Sequence, residues 1–210
     1  LAIEGGRATF AGTLGGNEVR GDATASFADL RPLARFAGIP LSGALDAAAG
    51  GTFHSRAGAN LDVRGSTTNL GTGDPAVARL LAGKTQFAGI VTRKPDGALA
   101  IAKLAVDGAV LKATGRAALG AATIDVALEG RLANLRLLAD AASGAAMFAV
   151  NATGARDAPT IDATIKVDQG TLAGRPLDKA SVRVQGKRSA TGWAGTDAPD
   201  GNFSAQRLAG

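Results

Sequence analysis

Few residues of this 210-residue chain could support catalysis or metal binding, and they lie far apart. The single histidine, His54, lies in the segment GTFHSRAG and does not make a convincing catalytic dyad. No cysteine is present, so disulfides and thiolate metal sites are excluded. The aspartates and glutamates are scattered, without the spacing of a metal site or of a paired acid and base. The sequence therefore predicts no enzyme, no metal site and no cofactor, and His54 is expected to be an ordinary surface residue.

One short segment ends like a phosphate-binding loop. Gly83-Lys84-Thr85 matches the last three positions of that motif, but Ala78 stands where its first glycine is required. No strand leads into the segment as the motif requires, so we reject a nucleotide site here.

The composition favours a folded domain with an aliphatic interior. Hydrophobic residues make up 46% of the chain and aromatic residues only 4%, so apolar surface must come from Ala, Val, Leu and Ile. So few rings argue against a surface that stacks sugars or single-stranded nucleic acid. The net charge of +5 comes from dispersed Lys and Arg residues. We therefore expect a mixed polar surface and no nucleic-acid partner.

The elements that must carry these residues are strands, because hydrophobic and polar residues alternate with a period of two. Ile124 and Val126, for example, fall on one side, and Asp125 falls on the other. The clearest alternating segments are 60–65, 99–108, 123–130, 160–170 and 181–187. In 99–108 the alternation shifts phase between Ile101 and Leu104, which indicates a β-bulge.

Three short amphipathic helices are predicted between the strands, at 29–38, 74–83 and 134–144. Each begins with a capping Asp or Asn and ends in Gly, which readily adopts the left-handed conformation after a helix. Helices this short are not stable alone in water, so we expect their leucines to pack on the sheet. We interpret them as parts of a degenerate structural repeat of strands, helix and strands.

The predicted fold class is all-β. Glycine recurs 30 times, which excludes a helical bundle, and turn signals separate the strands. We expect an elongated, curved antiparallel sheet, an open trough resembling a β-helix, with a few short amphipathic helices. Residues 1–188 form this segment, and 189–210 lose the alternation and are expected to be a weak strand or flexible tail. Because the chain begins at Leu1, we expect it to be part of a longer protein.

Four segments carry a resemblance to a known family. They are FADLRPLARFAGIPLSGALDAAAGG (27–51), DPAVARLLAG (74–83), PDGALAIAKLAVDGAVLKATGRAAL (95–119) and TIKVDQGTLAGRPLDKASVRVQG (164–186). They resemble the central periplasmic segment of TamB proteins, the AsmA-like lipid-transport proteins of the translocation and assembly module. The resemblance covers most of residues 20–187 and is one of repeated pattern, without a catalytic motif.

This resemblance implies a sheet rolled into an open, taco-like trough (a β-taco) with an apolar interior. It implies a place in the periplasm, as part of an inner-membrane-anchored protein with a TamA-like outer-membrane barrel as partner. It also implies movement of phospholipid acyl chains between the two membranes and support of outer-membrane protein assembly.

The inward-facing residues of the alternating segments are the candidate lining of a lipid groove. They are Leu99, Ile101, Leu104, Val106, Ile124, Val126, Leu128, Ile161, Ile165, Val167, Val182 and Val184. The same pattern is equally typical of the core of a closed β-sandwich or β-helix. The sequence therefore leaves open whether these residues line a groove or fill a core.

Two other classes are compatible with a β-rich chain. A structural or adhesive β-solenoid passenger domain of a secreted protein would show repeats of regular length, whereas the predicted helices recur irregularly. A β-helical polysaccharide-cleaving enzyme would group carboxylates, arginines and aromatic residues on one face, and the sequence shows no such group.

Overall fold

The computed structural model of the protein describes residues 2–3, 6–54, 56–189 and 192–194. The chain divides into two compact units, Leu1–Lys112 and Ala113–Gly210. Strands make up most of both units, neighbouring strands run antiparallel, and the helices are short. The prediction of an all-β fold with a few short helices is confirmed.

In the first unit each strand pairs with the next one along the chain. The strands are β1 (Ala2–Ile3), β2 (Gly6–Gly15), β3 (Glu18–Phe27), β4 (Ser42–His54), β5 (Gly58–Gly71), β6 (Lys84–Arg93) and β7 (Leu99–Gly108). Short connections join β2 to β3, β4 to β5 and β6 to β7 at one margin of the sheet, here termed the hairpin margin. Long connections join β3 to β4 and β5 to β6 at the opposite margin, the helical margin.

The second unit is also an antiparallel sheet with a helical margin. β8 (Leu111–Leu119) contains the division between the units, and the strands that follow are β9 (Thr123–Leu132), β10 (Ala142–Ser143), β11 (Ala146–Ala155), β12 (Pro159–Leu172), β13 (Arg175–Ser189) and β14 (Gly192–Ala194). β11 pairs with β9 and β12, and β13 pairs with β12 and β14. The two-residue β10 pairs with the far end of β12, beyond β11.

Two of the three predicted helices are confirmed. The first begins as the 3₁₀ turn Arg31–Leu33 and continues as α1 (Ala34–Ala37), and the second is α2 (Pro75–Leu80). The Asp74 carboxylate accepts the Ala76 N–H at 2.7 Å, so it caps α2 as expected.

The predicted helix over 134–144 is wrong beyond its first turn. Asn134 accepts the Arg136 N–H at 3.0 Å as a cap, but only the 3₁₀ turn Leu135–Leu137 follows. The chain then enters β10, because β12 extends past β11 and offers its free backbone groups to Ala142–Ser143. Sheet pairing therefore prevails over the helix propensity of this alanine-rich segment.

Two of the helical connections close in the same way at their base. The Leu30 N–H donates to the Gly43 carbonyl at 2.8 Å, and the Leu135 N–H donates to the Gly144 carbonyl at 2.8 Å. Gly43 and Gly144 have φ values of 98° and 102°, a conformation that favours glycine. The equivalence supports the structural repeat that the sequence indicates.

The bulge expected within 99–108 is also present. The register between β6 and β7 shifts by one residue between Ala88 and Ile90. Lys103 lies at this point with a left-handed φ of 51°. As a result Ile101 before the bulge and Leu104 after it face the same side of the sheet.

Burial among the described residues is concentrated at the helical margins. In the first unit Phe27 and Leu30 are only 6% and 4% exposed. In the second unit the buried hydrophobic residues are Leu132, Ala142, Ala146 and Val167. Except for Val167, these residues lie in or next to a helical connection, and Val167 pairs with Ala146, which does. Burial is therefore deepest at that end of each sheet.

The domain prediction is only partly addressed. A single segment over 1–188 stays a prediction, beside the observed division after Lys112. The predicted weak strand or tail at 189–210 lies outside the described residues, except for Ser189 and the short strand β14.

Candidate functional site: the apolar face of each unit

The cross-strand register separates apolar from polar side chains, because directly paired residues of neighbouring strands point to the same face. In the first unit one row across β2 to β7 reads Ala8, Ala25, Ala47, Gly65, Phe87 and Val106. The adjacent row on the other side of the sheet reads Arg7, Ser26, Asp46, Ser66, Gln86 and Asp107. We term these sides the apolar face and the polar face.

All twelve predicted lining residues lie on the apolar face of their unit. Those of the first unit, all on β7, are Leu99, Ile101, Leu104 and Val106. Those of the second unit, on β9, β12 and β13, are Ile124, Val126, Leu128, Ile161, Ile165, Val167, Val182 and Val184. Ile165, for example, pairs with Phe148 on one side and Val182 on the other. Each set therefore forms part of one continuous surface.

Sequence reasoning missed most of the apolar face of the first unit. Its aromatic members are Phe10, Phe27, Phe53 and Phe87, on four different strands. The segment ATASF at 23–27 does alternate, but its inward residues before Phe27 are alanines. Because alanine and glycine fill most of the face between the rings, the hydrophobic signal per strand is weak.

Glycines in the strands make room for these aromatic rings. A Cβ added at Gly65 would lie 2.7 Å from Cζ of Phe87. Cβ atoms added at Gly12 and Gly21 would lie 2.6 Å and 3.0 Å from the ring of Phe10. The rings therefore lie against the backbone of neighbouring strands, which is a known way of stabilising glycines in sheets. The resulting face is apolar, and its rings project little above the backbone of the sheet.

No second layer covers the apolar faces in the part of the chain that the structure describes. Leu99, Val182 and Val184 are 42%, 36% and 39% exposed, and Phe10 and Leu14 are more exposed still. In a closed sandwich the inner residues of both sheets interdigitate and are largely buried. The predicted lining residues therefore do not form a sealed core, except for Val167 at the helical margin.

The open area is comparable to the largest apolar patches of other proteins. The four rows on β2 to β7 that lie outside the buried helical margin cover roughly 24 Å by 20 Å, or about 490 Å², at ordinary strand spacing and rise. The largest apolar patch on a typical monomer is about 300–600 Å² and is often functional. A cleft of about 600 Å³ lies on this face; its apolar-face side chains are Ala8, Phe10, Ala23, Ala25, Ala47, Ala49 and Val63. The alanines between Phe10 and Val63 have small side chains, which leave the space of this cleft open.

A larger cleft of about 710 Å³ lies over the polar face of the first unit. Charged residues of both signs line it: Arg7, Asp46, Arg64, Lys84 and Asp107. Acyl chains bound in this cleft would remove water from these charged side chains, which costs free energy. The smaller cleft on the apolar face is therefore the better candidate for an apolar ligand.

The polar face of the second unit carries ordered ion pairs. The Arg183 guanidinium donates to both carboxylate oxygens of Asp162, at 2.9 Å and 2.5 Å, and the Gln185 amide donates at 3.1 Å. These hydrogen bonds lower the pKa of Asp162 to about 2 and raise the pKa of Arg183. Asp125 lies on the same face, 3.5 Å from Arg116. The two faces thus differ sharply in polarity.

Groups with catalytic potential are not brought together in the described residues. His54 is half-buried, and its Nδ1 lies 3.9 Å from a carboxylate oxygen of Glu18. No three His, Asp or Glu side chains among the described residues are close enough to hold a metal ion. The Gly83 N–H, which a phosphate loop would need free, donates to the Asn69 side chain at 2.9 Å. Among the described residues, no helix has the length and apolar character of a membrane span.

Comparison with known proteins gives no assignment. The chain matches no protein-family model, and searches of the curated proteins and of the solved structures find no match.

Proposed function

We propose that this chain is a segment of a TamB-like, periplasm-spanning protein that guides phospholipid acyl chains between the inner and outer membranes. In this proposal the protein is anchored in the inner membrane and works with a TamA-like outer-membrane barrel. Its lipid traffic supports outer-membrane biogenesis, including protein assembly and secretion.

The observation that carries the proposal is the uncovered apolar face of each unit. A two-chain phospholipid has roughly 30 methylene groups, each contributing about 0.8 kcal/mol when removed from water, so bare passage through water costs on the order of 20 kcal/mol. A continuous apolar surface offsets most of this cost without specific contacts. Low side chains such as Ala47 and Ala49 suit a surface along which tails move, because they present no deep pockets.

The rival structural or adhesive β-solenoid has less support. Parallel β-helices stack parallel strands in repeats of regular length. Within each unit here the paired strands are antiparallel, and the helical connections differ in length.

Photocrosslinking at two adjacent residues tests the proposal. Val126 lies on the apolar face, paired with Ala152, whereas Asp125 lies on the polar face. A photoreactive phenylalanine analogue is placed at either position, and the protein is irradiated with vesicles of phosphatidylethanolamine and phosphatidylglycerol. We expect lipid adducts at position 126 and few at position 125, measured by mass spectrometry.

The paired design supplies its own control, because the two residues are adjacent in β9 and differ in the face to which they point. Equal adduct yields at 125 and 126 would contradict the proposal. So would the absence of adducts at both positions in protein whose circular dichroism shows an intact sheet.

A further inference from the structure

Among the paired residues of the described strands β2 to β7, Arg93 is the one charged residue that the register places on the apolar face of the first unit, and Lys103 lies at the bulge without a register partner. It ends β6 at the hairpin margin, where it pairs with Ala59 on one side and Leu99 on the other. Its side chain is exposed, and its guanidinium has no ion-pair partner among the described residues. An arginine without an ion-pair partner that borders an exposed apolar surface is suited to bind a ligand anion.

Two further cations lie in the turns beside Arg93. Lys94 follows it in the turn between β6 and β7, and Arg56 lies in the turn between β4 and β5. The two turns are adjacent, since a Cβ added at Gly58 would overlap the Arg93 carbonyl. The hairpin margin of the apolar face therefore has a cationic rim.

Acidic residues at this margin are already engaged. The Asp96 carboxylate accepts the Ala98 N–H at 2.9 Å within its own turn. Glu18 lies on the polar face and pairs with Arg20 at 3.1 Å. The positive charge of the rim therefore exceeds the negative charge close to it.

The sheet is wide enough along its strands to hold the acyl tails of a lipid. From Arg93 to Thr85 at the buried helical margin, β6 runs eight residues, or about 27 Å. The acyl tails of one leaflet span about 15 Å, half of the roughly 30 Å hydrocarbon core of a bilayer. Tails that start at Arg93 can therefore lie along the strands on the apolar face without reaching Thr85, which is buried.

We propose that Arg93 binds the phosphate of a phospholipid whose tails lie across the apolar face toward the helical margin. The inference rests on the proposed lipid-guiding function and adds a headgroup contact and an orientation to it. A guanidinium donates two parallel, charge-assisted hydrogen bonds to a phosphate, which an ammonium cannot do. A lipid is favoured over a soluble phosphate because exposed apolar side chains, Leu99 and Phe53, lie in the same row as Arg93.

The test compares three probes by calorimetric titration. Dioctanoyl phosphatidylglycerol has tails and a phosphate, dioctanoylglycerol has the same tails without phosphate, and glycerol 3-phosphate has the phosphate without tails. They are titrated into the wild type, Arg93→Gln, Arg93→Lys and Arg64→Gln. Arg64 is the matched control, since it is an exposed cation on the polar face of β5 whose loss changes the net charge equally.

We expect wild type to bind phosphatidylglycerol about fivefold more tightly than dioctanoylglycerol, the contribution of one exposed ion pair. Arg93→Gln removes this difference and leaves dioctanoylglycerol binding unchanged. Arg93→Lys retains part of it, and Arg64→Gln retains all of it. Glycerol 3-phosphate binds far more weakly than either lipid.

Equal binding of the two lipids by wild type, or equal effects of Arg93→Gln and Arg64→Gln, overturns the inference and leaves the lipid-guiding proposal standing. Glycerol 3-phosphate binding as tightly as phosphatidylglycerol also overturns it, because the site would then serve a soluble phosphate. Failure of folded protein to bind either lipid overturns the proposed function itself.

Discussion

Replacing Ile165 with glutamate tests whether the apolar face of the second unit is open to water. Ile165 lies in the middle of β12 between Phe148 and Val182, and its side chain is partly exposed. Full burial of an isoleucine side chain stabilises a fold by about 1.5–3 kcal/mol, so partial burial contributes about half of that. With the lower strand propensity of glutamate, we expect the free energy of unfolding to fall by about 1–2 kcal/mol.

A sealed core predicts a much larger loss, because an unpaired carboxylate buried among hydrophobic side chains costs several kcal/mol more. Val167→Glu supplies the matched control on the same strand and the same face. Val167 is only 6% exposed, at the helical margin, so we expect it to lose about 4 kcal/mol or more. Thr164→Glu, on the polar face beside Arg183, should be nearly neutral.

Urea unfolding followed by circular dichroism measures all three variants, and the free energies come from the midpoints and slopes. Lipid adducts at a photoreactive residue 126 provide the functional measurement, and Ile165→Glu should reduce them while the sheet stays folded. If Ile165→Glu destabilises the protein as much as Val167→Glu, the face is closed at this position and the reasoning from exposure is refuted.

Two further predictions concern the polar face and the aromatic–glycine contacts. Because Arg183 lowers the pKa of Asp162 to about 2 from its ordinary 3.8, the ionised pair stabilises the fold above pH 3.8, and this contribution is lost as the pH falls toward 2. The difference in unfolding midpoint between wild type and Asp162→Asn should therefore shrink from pH 6 to about pH 2, and a constant difference would contradict this. Gly65→Ala should lower the free energy of unfolding by about 1–3 kcal/mol, because its Cβ would collide with the Asp46 carbonyl and with the ring of Phe87. Gly15→Ala, whose Cβ would meet no atom within 4 Å, is the control, and equal losses in the two variants would rule out these collisions as the cause.

Much of the local structure could be predicted from the sequence because it depends on neighbouring residues. Period-two alternation placed Val126 and Asp125 on opposite faces, and the shift in phase predicted a bulge between Ile101 and Leu104, where the structure has it. Asp74 followed by Pro75 identified the start of α2, since capping and a proline at the first helical position are local effects.

Predictions that depended on partners distant in sequence were less successful. The segment after Asn134 has the composition of a helix but forms β10, because β12 is long enough to pair with it. The face that includes Phe10 and Phe87 was missed, because its rings are separated by alanines and glycines whose role depends on neighbouring strands. Arg93 gave no signal, since only the register shows that it lies on the apolar face.

The sequence by itself determined that this chain forms strands with one apolar and one polar side, because alternation and glycine turns act over a few residues. It could not distinguish a groove from a core, since the alternation of residues around Ile165 is the same whether its side chain lines a groove or fills a core. Only the tertiary structure decided that most of the apolar surface is uncovered and that the buried residues gather at the helical margins, because burial depends on which elements pack against a face.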